Sequence, residues 1–187
     1  MPLNVALIGF GYAGRTFHAP LIHAVDGLRL HTAVTSRPDE AGDLAAGARL
    51  VATPEEAFAD PAVDLVVIAA PNDRHAPLAI QALEAGKAVV VDKPFALDLA
   101  EARTVVAAAE RTGRLLSVFH NRRWDADFLT LQSLIAEGRL GRVTRFESRF
   151  DRYRPEVRDR WREADVPGAG VWMDLGPHLI DQALELF

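Results

Sequence analysis

Short apolar runs alternate with amphipathic stretches over the first 120 residues of the chain. The runs that predict strands are Leu3–Ile8, Leu28–Thr35, Leu65–Ala69, Ala88–Val91 and Leu115–Phe119. Helical patterns at His75–Glu84 and Leu99–Arg111 are each followed by a glycine, Gly86 and Gly113, as helix C-termini prefer. The consecutive apolar residues 66–68 indicate a strand that is buried on both faces. The pattern therefore predicts an α/β fold with a doubly wound parallel sheet.

The remaining residues have a different pattern. A helix is expected at Asp125–Glu137, an antiparallel strand with one exposed face at Val143–Phe150, and a final helix at Leu175–Leu186. A single strand is not stable without a partner strand. We therefore expect a doubly wound α/β domain in residues 1–120 and, in residues 121–187, the N-terminal part of an α+β open-sheet domain that is truncated.

Composition excludes several classes of protein. The chain has 187 residues, 49% of them hydrophobic and 25% charged, which is the composition of a globular domain rather than a disordered one. The longest apolar run, Leu65–Ala70, is too short for a membrane helix, and no secretory signal opens the sequence. The absence of cysteine excludes disulfides and thiolate catalysis. A cytoplasmic location is expected, without a membrane partner.

The first predicted strand runs directly into a glycine-rich turn. This G-x-G-x-x-G segment consists of Gly9, Phe10, Gly11, Tyr12, Ala13 and Gly14. The motif alone is weak evidence, but a strand before it and a helix after it are the context in which it binds a dinucleotide pyrophosphate. We therefore expect a Rossmann-type cofactor site here. The alternative is a purely structural turn without a ligand.

The end of the second predicted strand determines the expected cofactor. An NAD enzyme would place an acid there for the ribose 2′-hydroxyl, whereas this chain has Thr35, Ser36 and Arg37. Hydroxyl groups and a guanidinium favour a 2′-phosphate. We predict NADP, with NAD as second choice, against the alternative that Arg37 is merely solvated.

Three further motifs carry a family resemblance. They are residues 70–75 (APNDRH), 92–94 (DKP) and 174–178 (DLGPH). With the glycine turn, they resemble the Gfo/Idh/MocA oxidoreductases. Residues 14–20 and 121–125 are similar to a subgroup that includes NADP-dependent scyllo-inositol dehydrogenases. The resemblance implies that the chain covers only the first part of a two-domain oxidoreductase.

The resemblance also implies residue roles. Lys93 would face nicotinamide and substrate, His178 would be the general base or acid, and Asp174 would lie beside it. Cofactor contacts are implied for Pro71, Asn72, His75 and Lys93 itself, and for Asn121 near the nicotinamide end. Asp92 replaces the family's more usual glutamate, which shortens the arm before Lys93.

The three catalytic candidates are chemically reasonable without the family. An imidazole titrates near neutral pH, so His178 suits proton transfer. Asp174 precedes it by four residues, on the same face of any helix, and the cation of Lys93 suits a developing alkoxide. The alternatives are that Asp174 caps the last helix, that His178 is structural and that Lys93 is a surface lysine. Lys93 is, however, one of only two lysines among 21 Lys and Arg residues.

The remaining histidines, Arg123 and Trp161 are weaker indicators of a functional site. His18, His23, His31 and His120 are scattered, so no metal site is expected. Arg123 and Trp161 are candidate substrate residues, although Trp161 equally suits packing against a sheet.

Arginines are dense between residues 139 and 162, where the pairs Arg149/Asp151 and Arg158/Asp159 interleave the charges. Together with the net charge of −5, this favours a solvated, paired face over nucleic-acid binding.

The sequence thus predicts an oxidoreductase that uses NADP to move a hydride to or from a polyol, sugar or inositol carbinol. The alternative is a dinucleotide-binding sensor or regulatory module without turnover. The expected partner is a small-molecule substrate, and the full-length protein is expected to be a homo-oligomer. The 187-residue piece is expected to bind cofactor without turning over substrate.

Overall fold

The computed structural model describes residues 1–187 apart from Arg152 and Arg158. The chain divides into two compact units, Met1–Phe119 and His120–Phe187.

The first unit is built on one parallel sheet of six strands. The strands are β1 (Leu3–Ile8), β2 (Leu28–Val34), β3 (Arg49–Val51), β4 (Leu65–Ile68), β5 (Ala88–Asp92) and β6 (Leu116–Phe119). Their order in the sheet is β3-β2-β1-β4-β5-β6, and every neighbouring pair is parallel. The order reverses between β1 and β4, where ligands of such sheets bind beyond the carboxyl ends of the strands. The predicted doubly wound α/β fold is confirmed.

Helices connect the strands and cover the sheet. A π-helical segment, Gly14–His18, leads into α1 (Ala19–Ala24), and the others are α2 (Pro54–Phe58), α3 (His75–Glu84) and α4 (Leu99–Thr112). The Asp98 carboxylate accepts a hydrogen bond from the Glu101 N–H at 2.9 Å, which fixes the start of α4. Gly113 ends the same helix in the left-handed conformation, at φ 63°.

The apolar core forms two clusters. One includes Val66, Ile68 and Leu83, and the other includes Leu7 and Val67. Successive residues of β4 thus belong to different clusters, since side chains alternate across a sheet. The strand is buried on both faces, as its unbroken apolar sequence predicts.

Strand β3 was not predicted. It has three residues, Arg49–Val51, and pairs with β2 at the edge of the sheet. Only Val51 is buried, so the segment lacks the apolar run that identifies the other strands.

The second unit contains α5 (Ala126–Ala136), α6 (Val171–Leu186) and two 3₁₀ turns, Asn121–Trp124 and Trp161–Glu163. The predicted strand at Val143–Phe150 is wrong, because these residues form no strand. A strand requires a partner to which its backbone can hydrogen-bond, and the described part of the second unit contains no strand.

Exposed ion pairs occupy the arginine-rich segment. Arg149 pairs with Glu147 at 3.9 Å rather than with its neighbour Asp151, and Arg154 pairs with Glu163 at 3.3 Å. Arg158, which the sequence pairs with Asp159, lies outside the described residues. None of the helices described has both the length and the apolar character needed to cross a membrane.

Candidate dinucleotide site

The glycine turn after β1 is closed around two glycines and open at the third. Gly9 has φ +98°, and a Cβ there would lie 2.5 Å from the Ala69 carbonyl oxygen. A Cβ on Gly14 would lie 2.2 Å from the Gly9 oxygen. At Gly11, by contrast, nothing lies within 4 Å of such an atom. The outer glycines are therefore required by packing, and Gly11 leaves the backbone accessible.

A cavity of about 420 Å³ adjoins this turn. Two segments line it. The first loop and the following helix contribute Phe10, Gly11, Tyr12, Arg15 and Thr16, and the segment beyond β2 contributes Arg37, Glu40 and Leu44. The glycine turn and Arg37 therefore line one cavity, although more than 20 residues separate them in sequence.

The loop after β2 is held by two hydrogen bonds of Thr35. The Thr35 hydroxyl accepts a hydrogen bond from the Arg37 N–H at 3.1 Å, and the Thr35 N–H donates to the Val51 carbonyl at 3.1 Å. Ser36 and Arg37 are exposed. The guanidinium of Arg37 lies 2.9 Å from the Glu40 carboxylate, an exposed pair.

The loop after β4 contains Pro71 and a 3₁₀ turn, Asn72–Arg74. Asn72 is buried. His75, at the start of α3, is 1% exposed, and its ring nitrogens lie 2.7 Å from the Pro94 carbonyl oxygen and 3.0 Å from that of Ala70. The ring of His75 is therefore enclosed by backbone, and its predicted role along the cofactor stays a prediction.

Lys93 follows directly on β5 and is half-buried. Its N–H donates to the Asp92 carboxylate at 2.7 Å, and the other carboxylate oxygen lies 3.4 Å from Nε2 of His18. The Lys93–Pro94 peptide bond is cis. Burial alone raises the pKa of Asp92, but the hydrogen bond and charge of His18, with the Lys93 N–H and the charge of His75, outweigh it. The pKa of Asp92 is therefore below the ordinary carboxyl value.

Helix α6 carries Asp174 and His178. It begins at Val171, so Asp174 lies within its first turn and Gly170 precedes it as the capping residue. The alternative that Asp174 caps this helix is therefore wrong, because the helix starts at Val171, one turn earlier than its apolar pattern suggested. An aspartate in a first turn still interacts favourably with the helix dipole.

The four-residue spacing does place Asp174 and His178 on one face of α6. His178 is 6% exposed, and the Asp174 carboxylate lies 3.8 Å from Nε of Arg162.

The turn that begins at Asn121 is joined to α6 by ion pairs. Arg123 donates two hydrogen bonds to Asp181, at 2.8 and 2.6 Å, and lies 3.2 Å from Glu185. The hydrogen bond to Asp181, with the charges of both acids, raises the pKa of Arg123 against the effect of burial. The guanidinium of Arg123 is thus engaged within the second unit, and its role as a substrate residue stays a prediction.

A second cavity, of about 620 Å³, lies within the second unit. Asp174, Arg154 and Glu163 are among its lining residues. Trp161 lies in the adjoining 3₁₀ turn with the Arg162 guanidinium over its ring, 5.0 Å from the centroid.

The first cavity fits a dinucleotide. It joins open backbone at Gly11, the start of a helical segment and exposed guanidinium groups, which together suit a pyrophosphate and a further phosphate. The family model described as "Oxidoreductase family, NAD-binding Rossmann fold" matches residues 3–120, and the "GFO/IDH/MocA C-terminal domain" matches residues 128–187. The chain belongs to the Gfo/Idh/MocA oxidoreductase family.

Several family members are closely similar in sequence or structure. The oxidoreductase YdgJ of Escherichia coli K12 is 58% identical over 99% of this chain and 54% of its own length. The scyllo-inositol 2-dehydrogenase (NADP(+)) IolW of Bacillus subtilis 168 is 41% identical over 99% of this chain and 52% of its own length. A solved structure, the oxidoreductase yvaA of B. subtilis, is 41% identical and has a TM-score of 0.94, covering 99% of this chain and 53% of that one. The chain thus spans about half the length of the curated relatives it matches.

Four residues of the Gfo/Idh/MocA chain that line the first cavity, Arg15, Thr16, Glu40 and Leu44, were missed by sequence reasoning. Arg15 and Thr16 follow the glycine turn, and their spacing of four and five residues from Gly11 could have identified them. Glu40 lies beyond Pro38, and its spacing of three residues from Arg37 could have identified it.

The catalytic candidates belong to different units. Lys93 lies in the first unit, whereas Asp174 and His178 lie in the second. Across the described ranges, no group of three or more His, Asp or Glu side chains is arranged to hold a metal ion.

Proposed function

We propose that this chain is the cofactor-binding part of an oxidoreductase that uses NADP to move a hydride to or from a polyol, sugar or inositol carbinol. The observation that carries the proposal is the shared cavity of Gly11, Arg15 and Arg37. The similarity to an NADP-dependent scyllo-inositol 2-dehydrogenase supports both the cofactor and the substrate class.

Different residues in and beside the first cavity are proposed to bind different groups of the cofactor. Gly11, where the backbone is open, would hold the pyrophosphate, and the first helical turn would offer its N–H groups to the charge. Arg37, with Ser36 and Thr35 before it, would receive the 2′-phosphate, and Arg15 lines the same cavity. Tyr12, which is 72% exposed, offers an aromatic surface beside them.

Glu40 makes the preference for NADP testable. Its carboxylate pairs with Arg37 in the cavity, where it repels a 2′-phosphate and competes for the guanidinium. The pair is exposed, so separating it costs at most about 1 kcal/mol. Glu40 therefore weakens the preference for NADP without abolishing it.

The chemistry at the carbinol is assigned to three side chains. His178 takes the hydroxyl proton onto a ring nitrogen during oxidation and returns it during reduction. Asp174, on the same face of α6, orients the imidazole, and Lys93 stabilises the developing alkoxide. When bound, NADP(H) supplies or accepts the hydride. The second cavity, with Asp174 in its lining, is proposed to hold part of the substrate.

Three features remain parts of this proposal. They are the assignment of residues 121–187 to the beginning of a substrate domain, the small-molecule partner, and assembly of the full-length protein into a homo-oligomer. A cytoplasmic location likewise stays a prediction.

The first experiment is calorimetric titration of the chain with NADP and, separately, NAD. We expect NADP to bind at least tenfold more tightly, a difference of about 1.4 kcal/mol. Arg37→Gln removes this preference and Glu40→Gln increases it, whereas Arg29→Gln, at the opposite end of β2, changes neither affinity. Preference for NAD contradicts the assignment of Arg37, and binding of neither contradicts the cofactor site.

The second experiment measures turnover by the protein expressed from its complete gene. Lys93→Met and His178→Ala are each expected to lower kcat at least 100-fold with NADP affinity within about twofold of the parent. Unchanged kcat in both variants contradicts the catalytic assignment. Tight NADP binding without turnover of any polyol, sugar or inositol favours a sensor.

A further inference from the structure

Two buried histidines contact the residues that flank Lys93. On one side, His18 is 4% exposed and its Nε2 lies 3.4 Å from one oxygen of the Asp92 carboxylate. The other oxygen accepts the Lys93 N–H at 2.7 Å. The contact thus runs from the helical segment after the glycine turn, through Asp92, to the backbone of Lys93.

On the other side, His75 contacts Pro94. Its Nδ1 lies 2.7 Å from the Pro94 carbonyl oxygen, and its Nε2 lies 3.0 Å from the Ala70 carbonyl oxygen. The ring therefore joins the loop after β5 to the loop after β4. A carbonyl oxygen only accepts, so a ring nitrogen donates to it when that nitrogen carries a proton.

Filling space does not require histidine at position 18. His18 packs its ring against Phe119, with the centroids 4.5 Å apart, and a phenylalanine makes the same kind of contact. A buried polar ring is unfavourable unless its nitrogens are hydrogen-bonded. Both rings direct nitrogens to the segment 92–94, so their polar atoms restrain the turn that carries Lys93.

We propose that His18 and His75 are positioning residues, which fix the backbone on both sides of Lys93 and so set where its ammonium group lies. The inference about catalysis rests on the proposed function, whereas the positioning itself is independent of it. The positioning role needs no contact of either histidine with substrate, and for His75 it is separate from the cofactor contact that the sequence predicts.

The lysine content makes the positioning directly measurable. The chain has only two lysines, Lys87 and Lys93. The ammonium of Lys87 is buried and donates to the Asp60 and Val63 carbonyls, at 2.6 and 2.9 Å. Labelling lysine Cε with ¹³C therefore gives two side-chain NMR environments, and Lys93→Arg assigns them.

We expect His18→Phe and His75→Phe each to shift or broaden the Lys93 signal. The control is His31→Phe, since His31 makes a similar contact, Nε2 to Asp60 at 3.3 Å, at the other end of the sheet. It is expected to leave the Lys93 signal unchanged. A Lys93 signal that stays in place in both His18 and His75 variants overturns the proposal.

Milder variants guard against loss of folding. His18→Gln and His75→Gln keep an N–H donor in a flexible side chain, and are expected to produce smaller shifts of the Lys93 signal than the phenylalanine variants. If a phenylalanine variant fails to fold, its glutamine counterpart decides by whether the Lys93 signal moves.

Kinetics of the protein from its complete gene then connect positioning to turnover. His18→Phe and His75→Phe are expected to lower kcat about 10- to 100-fold, the scale of a misplaced catalytic group, with KM for NADP within twofold and partial recovery in the glutamine variants. A moved Lys93 signal with unchanged kcat keeps the positioning but contradicts the catalytic role of Lys93. A lowered kcat with an unmoved signal overturns the positioning and leaves the proposed function standing.

Discussion

The two units of the chain are stabilised by different kinds of contact. The first buries apolar side chains on both faces of a sheet, whereas Phe128 is the only buried hydrophobic residue among those described in the second. The other buried side chains described in the second unit are polar, His178 and Asp181. Periodic apolar sequence therefore determines the first unit, and charged contacts determine much of the second.

The composition also provides separate probes of the two units. All three tryptophans, Trp124, Trp161 and Trp172, lie in the second unit, and both lysines lie in the first. Tryptophan fluorescence therefore reports the second unit, and lysine NMR signals report the first.

The largest expected effect tests the closed glycine turn. Gly14→Ala places a Cβ 2.2 Å from a backbone oxygen, so the turn must distort, and we expect a loss of about 5 kcal/mol in the free energy of unfolding. Gly11→Ala, where the space is open, is expected to stay within about 1 kcal/mol of the parent. Urea denaturation followed by circular dichroism makes the comparison. Equal losses in both variants contradict the difference between closed and open positions.

Replacing one leucine in each unit compares how much apolar packing stabilises the two units. Leu83 in α3 is fully buried, and Leu184 in α6 is 76% exposed. Leu83→Ala is expected to lower the free energy of unfolding by about 2–5 kcal/mol, and Leu184→Ala by no more than about 0.5 kcal/mol. Denaturation of the two variants in parallel provides the measurement, and a larger loss at Leu184 would show an apolar contact in the second unit.

The ion pair between Arg123 and Asp181 tests the second unit. Arg123→Met leaves a largely buried carboxylate with fewer partners, but Arg123 is 40% exposed, so water compensates in part. We expect the free energy of unfolding to fall by about 1–2 kcal/mol. The fluorescence of Trp124, the next residue in the sequence, measures this unfolding. Combining Arg123→Met with Asp181→Leu should restore part of the loss, because the unpaired charge is removed. A double variant with a lower free energy of unfolding than Arg123→Met alone contradicts this explanation.

The smallest expected effect is the loss of the stability that Asp92 contributes when the pH is lowered. Because the native pKa of Asp92 is lowered, its charged form contributes stability above the unfolded-state value of about 3.9, and this contribution disappears as the pH falls through the native pKa. Asp92→Asn is therefore expected to differ from the parent near pH 6 and to converge with it at lower pH. Unfolding measured between pH 3 and 6 tests this, with the exposed Asp43→Asn as control. If the difference in free energy of unfolding between Asp92→Asn and the parent grows as the pH falls, the pKa of Asp92 is raised instead of lowered, which contradicts the prediction.

The sequence predicted most reliably those elements whose burial follows a simple period. The strands beginning at Leu3, Leu28, Leu65 and Ala88 start where their apolar runs start, since a covered parallel strand is apolar throughout. The three-residue strand β3 carries too little pattern, and Val143–Phe150 alternates without forming a ladder. Alternation identifies faces, whereas a ladder also needs a partner strand.

The site was predictable only in part, for a similar reason. Motifs identify residues that a loop presents directly, such as Gly11 and Arg37. They do not identify contacts formed when distant loops meet, as between His18 and Asp92 or His75 and Pro94. These pairings depend on the order of strands in the sheet, which the local sequence does not contain.

The arginine-rich segment has a consequence for limited proteolysis. Arg145 and Arg149 are 80% and 76% exposed, and residues 143–150 belong to no helix or strand. Proteases cut most readily where a stretch of backbone can open locally, and in the first unit Arg29 and Arg111 lie within a strand and a helix. Brief treatment with trypsin should therefore cut this segment first and release a protected fragment that contains the whole parallel sheet.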